Sequence, residues 1–158
     1  MKNKFTHIHA SGNPQMVDVS VKKVTQRVAK AQAVVFLGEE IMSQLQDDEL
    51  ITKKGPVFQT AIIAGVMGAK RTAELIPFCH PLGLEDVQIA ITPERETVII
   101  DATARVTGKT GVEMEALTAA TIAALTVYDM CKALSHDIVI EEVKLMEKAG
   151  GKKNFKRK

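Results

Sequence analysis

The sequence predicts a single α+β domain over residues 1–158, built from one antiparallel sheet with two long helices packed on one face. The chain has 158 residues, of which 46% are hydrophobic and 25% charged, as expected of one globular domain. Segments with strand and helix patterns follow one another in the order strand, helix, strand, strand, helix, strand. A short polar segment separates the two adjacent strand patterns, which is typical of a hairpin.

The first half of the chain is predicted to contain one strand and two helices. Residues 1–15 are polar and are expected to form a mobile arm or an extended edge segment. Residues 31–37 (AQAVVFL) carry the β-branched and aromatic side chains typical of a strand. Residues 39–46 are predicted as a short helix, residues 47–56 as a loop and residues 57–75 as a long helix.

The second half is predicted to contain a hairpin, a helix and a last strand. Residues 86–92 and 97–106 are β-rich, and the PERE segment at 93–96 separates them. Residues 112–134 contain no Gly or Pro and many good helix formers, which predicts a long helix. Residues 138–146 are predicted as the fourth main strand.

This order of elements is that of the ferredoxin-like split βαβ arrangement, with an extra short helix after the first strand. One antiparallel sheet would then carry both long helices on the same face. Gly65 and Gly68 weaken the first long helix, but they would allow it to approach its neighbour closely.

The helix predicted at 112–134 keeps its ionisable residues at its two ends. Glu113 and Glu115 occupy the first turn, where a carboxylate interacts favourably with the helix dipole. Asp129 and Lys132 are neighbours near the other end. Glu115 and Asp129 are separated by about 21 Å along the helix axis. One copy of the helix therefore cannot bring both carboxylates to one small substrate.

Two copies of this helix, packed antiparallel about a two-fold axis, would bring the opposite ends together. Small side chains would let the two backbones approach closely; they are Ala116, Ala119, Ala120, Ala123 and Ala124. The resulting hypothesis is an active site at a subunit boundary. The alternative is an ordinary core helix with solvated ends.

A second group of chemically interesting residues lies in the segment LIPFCHPLGL at 75–84. Pro77 and Pro81 hold the backbone around Cys79 and His80 extended. Adjacent Cys and His residues do not have a zinc-ligand spacing. A Cys–His dyad would need the two side chains to converge, whereas neighbours in an extended segment point to opposite sides. His80 is either a structural histidine or a group for hydrogen bonding or proton transfer.

Several other function classes are disfavoured. The RVTGKT segment at 105–110 is not a P-loop, because Thr103 stands where the first glycine is required, although Lys109 could still meet a phosphate. A nucleic-acid-binding sheet would present aromatic residues, but neither hairpin strand contains one. The net charge is only +2, and the basic residues after Gly151 are expected to be a solvated, mobile end at 152–158.

The chain is also expected to be cytoplasmic and to act away from the membrane. No apolar segment follows the first residues as in a secretory signal, and no run is apolar enough to span a bilayer. Two cysteines without a disulfide-framework spacing suggest reduced thiols. No cluster with metal-ligand spacing is evident, so no metal site is predicted.

Long motifs along the chain resemble the MoaC family. They include FCHPL, TGKTGVEMEALTA and LTVYDMCKAL, supported by MVDVS, KGPVF, IAGVMGAKRT and the Lys148–Lys152 end, and they cover residues 6–155. The resemblance implies a ferredoxin-like fold assembled as a hexamer, a trimer of dimers with the site at the dimer interface. It also implies a phosphorus–oxygen lyase of molybdenum cofactor biosynthesis. This lyase converts 3′,8-cyclo-7,8-dihydro-GTP to cyclic pyranopterin monophosphate and releases pyrophosphate.

The resemblance assigns expected roles to the residues singled out above. Asp129 is the first candidate for the general acid or base, and Lys132 would transfer protons or keep Asp129 ionised. Glu113 and Glu115 would recognise the base or position water. The alternative for Asp129 and Lys132, a solvated helix pair, would stabilise the fold by only about 0.3–0.5 kcal/mol.

The remaining candidates would hold the substrate. Fixed cations are needed when a triphosphate loses pyrophosphate, and the candidates for phosphate or sugar contacts are Lys54, His80, Lys148 and Arg27. The residues expected to line the pocket are Phe78, Cys79 and Met114. No resident cofactor is expected, although Mg²⁺ could arrive with the triphosphate. Two other classes stay open, a nucleic-acid-binding module and a structural oligomer without activity.

Overall fold

The computed structural model describes residues 12–158, and a five-stranded antiparallel sheet is its framework. The elements in chain order are β1 (Thr25–Phe36), α1 (Glu39–Met42), β2 (Ile51–Thr52), β3 (Gly55–Pro56), α2 (Val57–Lys70), α3 (Thr72–Leu75), β4 (Asp86–Glu94), β5 (Thr97–Gly108), α4 (Glu113–Cys131), β6 (Val139–Ala149) and β7 (Phe155–Lys156). The strand order in the main sheet is β4-β5-β1-β6-β7, and β2 pairs with β3 in a separate hairpin. The predicted α+β class and antiparallel pairing are confirmed.

One face of the sheet is lined by small apolar residues because buried positions on neighbouring strands are in register. In β1 every second residue from Ala29 to Val35 is buried. Their partners in β5, from Ala104 to Val98, are buried as well. Helix α4 packs on β1, β5 and β6, and α2 packs beside it against β4. Both long helices therefore cover the same face of the sheet.

The contact between α2 and α4 depends on two glycines. A Cβ atom at Gly65 would collide with Ile89 Cδ1 and lie 2.9 Å from the carbonyl oxygen of Ala119. A Cβ atom at Gly68 would lie 2.7 Å from Ile122 Cγ1. These distances leave no room for a methyl group, so the close approach expected from the two glycines is confirmed.

The small residues of α4 are used inside the chain, contrary to our expectation that they would meet a second copy. All five alanines are 0% exposed, because the close approach of α2 and the alanine-rich sheet already cover this side of the helix. They are Ala116, Ala119, Ala120, Ala123 and Ala124. Any contact between two copies of α4 must therefore use a different side of the helix.

Several elements differ in extent from the sequence prediction. Strand β1 starts at Thr25 instead of residue 31, because β5 is long enough to pair with it from Thr25 to Phe36. The helix predicted at 57–75 is interrupted at Arg71, and the predicted loop at 47–56 contains the β2–β3 hairpin.

Mobile segments were predicted at both ends of the chain. Most of the arm at 1–15 falls outside the described residues. The end at 152–158, which we expected to be mobile, contains β7, which pairs with Glu147 and Lys148. Arg157 adds two hydrogen bonds, from its backbone N–H to the Met146 carbonyl and from its Nε to the Leu145 carbonyl.

We expect Gly65→Ala to destabilise the fold by about 1–3 kcal/mol, because the added methyl group meets a backbone carbonyl that cannot move alone. This loss should exceed the roughly 0.5–1 kcal/mol that Ala gains over Gly in a helix. Urea unfolding followed by circular dichroism measures the difference. Gly83→Ala is the matched control, since a Cβ atom there has nothing within 4 Å. Equal or higher stability of Gly65→Ala would contradict the packing described here.

Candidate active site

A pocket of about 640 Å³ lies at the first turn of α4 and collects most of the predicted site residues. Its walls are the 78–82 loop, the start of α4, the end of β6 and the strap, which is the segment 16–22 and contributes Val17, Val19 and Lys22. Seven predicted residues line this α4 N-terminal pocket, namely Phe78, Cys79, His80, Glu113, Met114, Glu115 and Lys148. Residues about 35 positions apart in the chain thus meet because α4 starts where β6 ends.

Glu113 and Lys148 form an ion pair across this pocket. Lys148 Nζ donates to Glu113 Oε1 at 2.8 Å, and both side chains are partly buried. Gly111 lies against the Glu113 carboxylate, where a Cβ atom would overlap it. The pair therefore occupies a tight position between the loop before α4 and the last main strand.

Arg27 lies in a smaller adjoining pocket of about 300 Å³ that shares Glu113 and Lys148 with the first. This arginine precedes the strand predicted at 31–37, and the structure puts it near the start of β1. Its Nη2 donates to the Lys109 carbonyl at 3.4 Å, whereas its Nε is buried without a hydrogen-bond partner among the described residues. Arg27 thus adds positive charge behind the Glu113–Lys148 pair.

Glu115 is the buried carboxyl group of the pocket, with only 4% of the residue exposed. Burial raises its pKa to about 6, a hydrogen bond with its own backbone opposes the shift, and the charge of Glu113 adds to it. Near neutral pH this group can therefore exist in both protonation states. Such a group is able to give or take a proton at the pH where enzymes work.

The Cys79–His80 pair does not form a nucleophile and its base. Burial and the neighbouring Glu115 raise the pKa of the Cys79 thiol, which keeps it protonated. His80 Nε2 lies 2.8 Å from the carbonyl oxygen of Val17. The imidazole therefore contacts the strap, and the thiol lines the pocket wall.

Asp129, Lys132 and Lys54 form a second group, the C-terminal cluster, near the other end of α4. Asp129 Oδ1 lies 2.7 Å from Lys132 Nζ, and its Oδ2 lies 2.7 Å from Lys54 Nζ. Lys54 also donates to the Asp129 carbonyl at 3.0 Å. Hydrogen bonds from Lys132 and then Lys54 lower the pKa of Asp129 to about 2. The same contact raises the pKa of Lys132.

Within one chain the two groups are far apart. The axial rise of α4 between Glu115 and Asp129 is about 21 Å, as expected from the sequence. A line of exposed residues runs along α4 between them, formed by Met114, Thr121, Leu125 and Asp129. Leu125 is 53% exposed and Met114 is 37% exposed. This α4 ridge joins the two groups on the solvent side of the helix.

No residue of the strap, including Lys22, was predicted from the sequence to belong to the site. Val17, Val19 and Lys22 line the α4 N-terminal pocket. Lys109, which was considered for a phosphate contact, donates to the Ser20 carbonyl at 2.7 Å and so holds the strap. The MVDVS motif was a signal that this segment matters. Its position over His80 is a tertiary contact that no local pattern predicts.

Two further features bear on the class of protein. None of the helices at 12–158 is both long and apolar enough to cross a membrane. The same residues contain no group of three or more His, Cys, Asp or Glu side chains that could hold a metal ion.

The fold and the two polar groups define an α+β protein with a pocket suited to a small polar molecule. Residues 16–151 match the MoaC family, and the chain belongs to this family. The curated Drosophila melanogaster protein named molybdenum cofactor biosynthesis protein 1 is 51% identical over 157 residues, covering 98% of this chain and 27% of the relative. The chain thus spans about a quarter of that relative's length. The resemblance seen in the sequence motifs is confirmed.

The raised pKa of Glu115 makes the stability of the fold depend on pH. Its ordinary value is 4.5 and its folded value about 6, so the protonated form stabilises the folded state. This contribution is complete below pH 4.5 and is lost as the pH rises through about 6. We expect Glu115→Gln to be more stable than the wild type at pH 7.5 by on the order of 1–2 kcal/mol, and close to it at pH 4.5.

Urea unfolding at both pH values measures this effect. Glu74→Gln, at an exposed position of α3, is the control and should leave the free energy of unfolding unchanged at both pH values. An equal effect of Glu115→Gln at both pH values would show that folding does not shift the Glu115 pKa.

Proposed function

We propose that this chain is a cyclic pyranopterin monophosphate synthase, a lyase of molybdenum cofactor biosynthesis. It would convert 3′,8-cyclo-7,8-dihydro-GTP to cyclic pyranopterin monophosphate and release pyrophosphate. Family membership and the name of the Drosophila relative support the pathway. The observation that carries the reaction is the presence of two acid–lysine groups, one in a pocket and one exposed, at the two ends of a single helix.

The positive charges around the α4 N-terminal pocket suit a triphosphate. Lys22, Lys148 and Lys152 line it, and Arg27 lies in the adjoining pocket. Fixed cations stabilise the negative charge that develops on a leaving pyrophosphate. Lys148 is now neutralised by Glu113, so a phosphate oxygen would take the place of that carboxylate.

Formation of a cyclic phosphate requires a substrate hydroxyl to attack the phosphorus nearest the sugar. A new P–O bond forms, the bond to the pyrophosphate oxygen breaks, and the hydroxyl proton must go to a base. Asp129 is our candidate for that base. A carboxylate with a pKa of about 2 is weakly basic while both lysines hold it. A phosphate that draws Lys54 or Lys132 away would raise its pKa and activate it.

Glu115 suits the other half of the chemistry, in which the purine ring opens and the pterin ring is rebuilt. Its carboxyl group can protonate or deprotonate a ring nitrogen near neutral pH, because burial raises its pKa to about 6. Phe78, Cys79 and Met114 would line the space for the ring. His80 would act through the strap that it contacts. No resident cofactor is proposed, and any Mg²⁺ would arrive on the triphosphate, which supplies oxygen ligands of its own.

We further propose that the site is completed by a second copy of the chain. A partner α4 laid antiparallel along the α4 ridge would bring its Asp129 to the Met114 end of the first copy. The apolar residues of the ridge, with Ile63 and Met67 exposed on α2, provide surface for such a contact. A hexamer of three such dimers, a ferredoxin-like topology and a cytoplasmic location complete the proposal.

We expect Asp129→Ala to lower turnover of 3′,8-cyclo-7,8-dihydro-GTP by on the order of 10²–10⁴-fold, because the general base is lost. Mass spectrometry of the cyclic-phosphate product and an assay of released pyrophosphate measure the rate. Asp137→Ala, at an exposed position just after α4, is the control and should keep full activity. Full activity of Asp129→Ala would exclude it as the base, and a folded wild type without turnover would exclude the proposed reaction.

A shared site predicts that two inactive variants rescue each other. Lys132→Ala removes one lysine of the C-terminal cluster, and Glu115→Ala removes the buried carboxyl group of the pocket. If each site combines the two ends from different chains, a statistical mixture of the variants contains intact sites amounting to roughly a quarter of the total. Co-expression followed by the activity assay tests this. Two samples mixed without subunit exchange are the control. Absence of rescue in verified mixed oligomers would contradict the shared site.

A further inference from the structure

Lys54 reaches Asp129 from a small element that has little support of its own. The β2–β3 hairpin consists of only two residue pairs, Ile51 with Pro56 and Thr52 with Gly55. It stands apart from the main sheet. Ile51 is 62% exposed, so burial of its side chain does not hold the hairpin in place.

The carboxylate of Glu49 fastens the base of this hairpin to α2. Its Oε1 accepts hydrogen bonds from the backbone N–H groups of Leu50, at 2.9 Å, and Phe58, at 2.8 Å. Its Oε2 accepts one from the N–H of Gln59 at 3.1 Å. Phe58 and Gln59 belong to the first turn of α2, where N–H groups have no acceptor inside the helix.

No residue closer to the helix performs this role. Pro56 occupies the N-cap position and its side chain makes no capping hydrogen bond. A carboxylate at this point also interacts favourably with the positive end of the helix dipole. Glu49 therefore acts as the cap of α2 from a position seven residues before Pro56, and the hairpin is the segment that it closes.

Contacts of the residues next to Glu49 also attach the hairpin to the start of α2, and we call the whole attachment the clamp. Leu50 is buried, and its carbonyl accepts a hydrogen bond from Val57 N–H at 2.9 Å. Inside the hairpin, Thr52 Oγ1 accepts from Lys54 N–H at 3.2 Å. Lys54 thus projects from a short loop whose two ends are tied together by Glu49 and Leu50.

We propose that Glu49 is a positioning residue that holds Lys54 against Asp129 by clamping the β2–β3 hairpin to the start of α2. Its importance for catalysis rests on the proposed function, whereas its effect on the Lys54–Asp129 pair does not. An exposed ion pair is weak mainly because two mobile side chains must be ordered to form it. A backbone already fixed by Glu49 reduces that cost, so loss of the clamp weakens the pair.

The carboxyl ¹³C resonance of Asp129, followed as a function of pH, measures the pair directly. Lys54 and Lys132 together lower the Asp129 pKa to about 2, so loss of the Lys54 contact must raise it. We expect Glu49→Ala to raise this pKa by on the order of half a unit, towards the value found in Lys54→Ala. Adding Glu49→Ala to Lys54→Ala should then produce no further rise. Glu74→Ala is the control at an exposed position of α3 and should leave the titration unchanged.

Two results would overturn the proposal. One is a folded Glu49→Ala variant in which the melting temperature falls but Asp129 titrates as in the wild type, which is the behaviour of a cap with a structural role only. The other is a rise in the Asp129 pKa on Glu49→Ala that is equally large in the wild type and in the Lys54→Ala variant. If Glu49→Ala does not fold, Glu49→Gln serves instead, because it keeps one acceptor oxygen and removes the charge.

The activity assay then separates this proposal from the proposed function. Between the oligomeric wild type and the Glu49 variants, KM should rise if Lys54 leaves Asp129 to meet a substrate phosphate, because the unclamped hairpin no longer presents Lys54 at the site. A wild type without turnover whose Asp129 titration still responds to Glu49→Ala would reject the reaction and retain the clamp. Normal turnover with an altered titration would reject the catalytic importance of the clamp.

Discussion

The close packing of α4 against the sheet and α2 is the contact on which the rest of the structure depends. The helix can approach both because its inner face is alanine, the facing positions of β1 and β5 are largely alanine, and α2 presents Gly65 and Gly68. Each close contact adds dispersion energy and removes apolar surface from water. The middle of α4 is thereby fixed, and the polar groups at its two ends are held on a rigid rod.

This arrangement places two carboxyl groups of one helix in opposite environments. Glu115 points into the protein and burial raises its pKa to about 6, whereas Asp129 lies in water between two ammonium groups and its pKa falls to about 2. Environments that separate the pKa values of two acids are typical of sites that need both a proton donor and a base. In this chain the difference between the two pKa values follows from the packing. One end of α4 lies against the strap and the 78–82 loop, and the other end is open to solvent.

The sequence predicts this structure well where local pattern and burial agree. The β-rich runs on either side of the PERE segment identified the hairpin strands, and a stretch without Gly or Pro identified α4 within a few residues of each end. The 75–84 segment and the start of α4, both singled out in the sequence for their candidate site residues, meet in one pocket. The early start of β1, and with it the place of Arg27, was missed because Thr25 to Lys30 are mostly polar and only pairing with β5 makes them a strand. The prediction that the α4 alanines meet a second copy was wrong, because small residues allow a helix to pack closely against another helix or against a sheet equally well. The clamp made by Glu49 was invisible because it joins residues nine and ten positions apart through a carboxylate.

In both polar groups the carboxylates are paired with lysines of the same chain, and this bears on the kind of ligand they suit. Lys148 is paired with Glu113, and Asp129 is shared by Lys54 and Lys132. Ion pairs with substantial exposure contribute about 0–1 kcal/mol, so exchanging a carboxylate for another anion costs little. A ligand with a single negative charge gains little from such an exchange, because it replaces one partner by an equivalent one. A triphosphate presents several charges to the three lysines that line the pocket, Lys22, Lys148 and Lys152, and the carboxylates it displaces would become available for proton transfer. On the proposed function, the weak resting pairs would therefore make the site respond to a polyanion and leave its bases inactive until that ligand is in place.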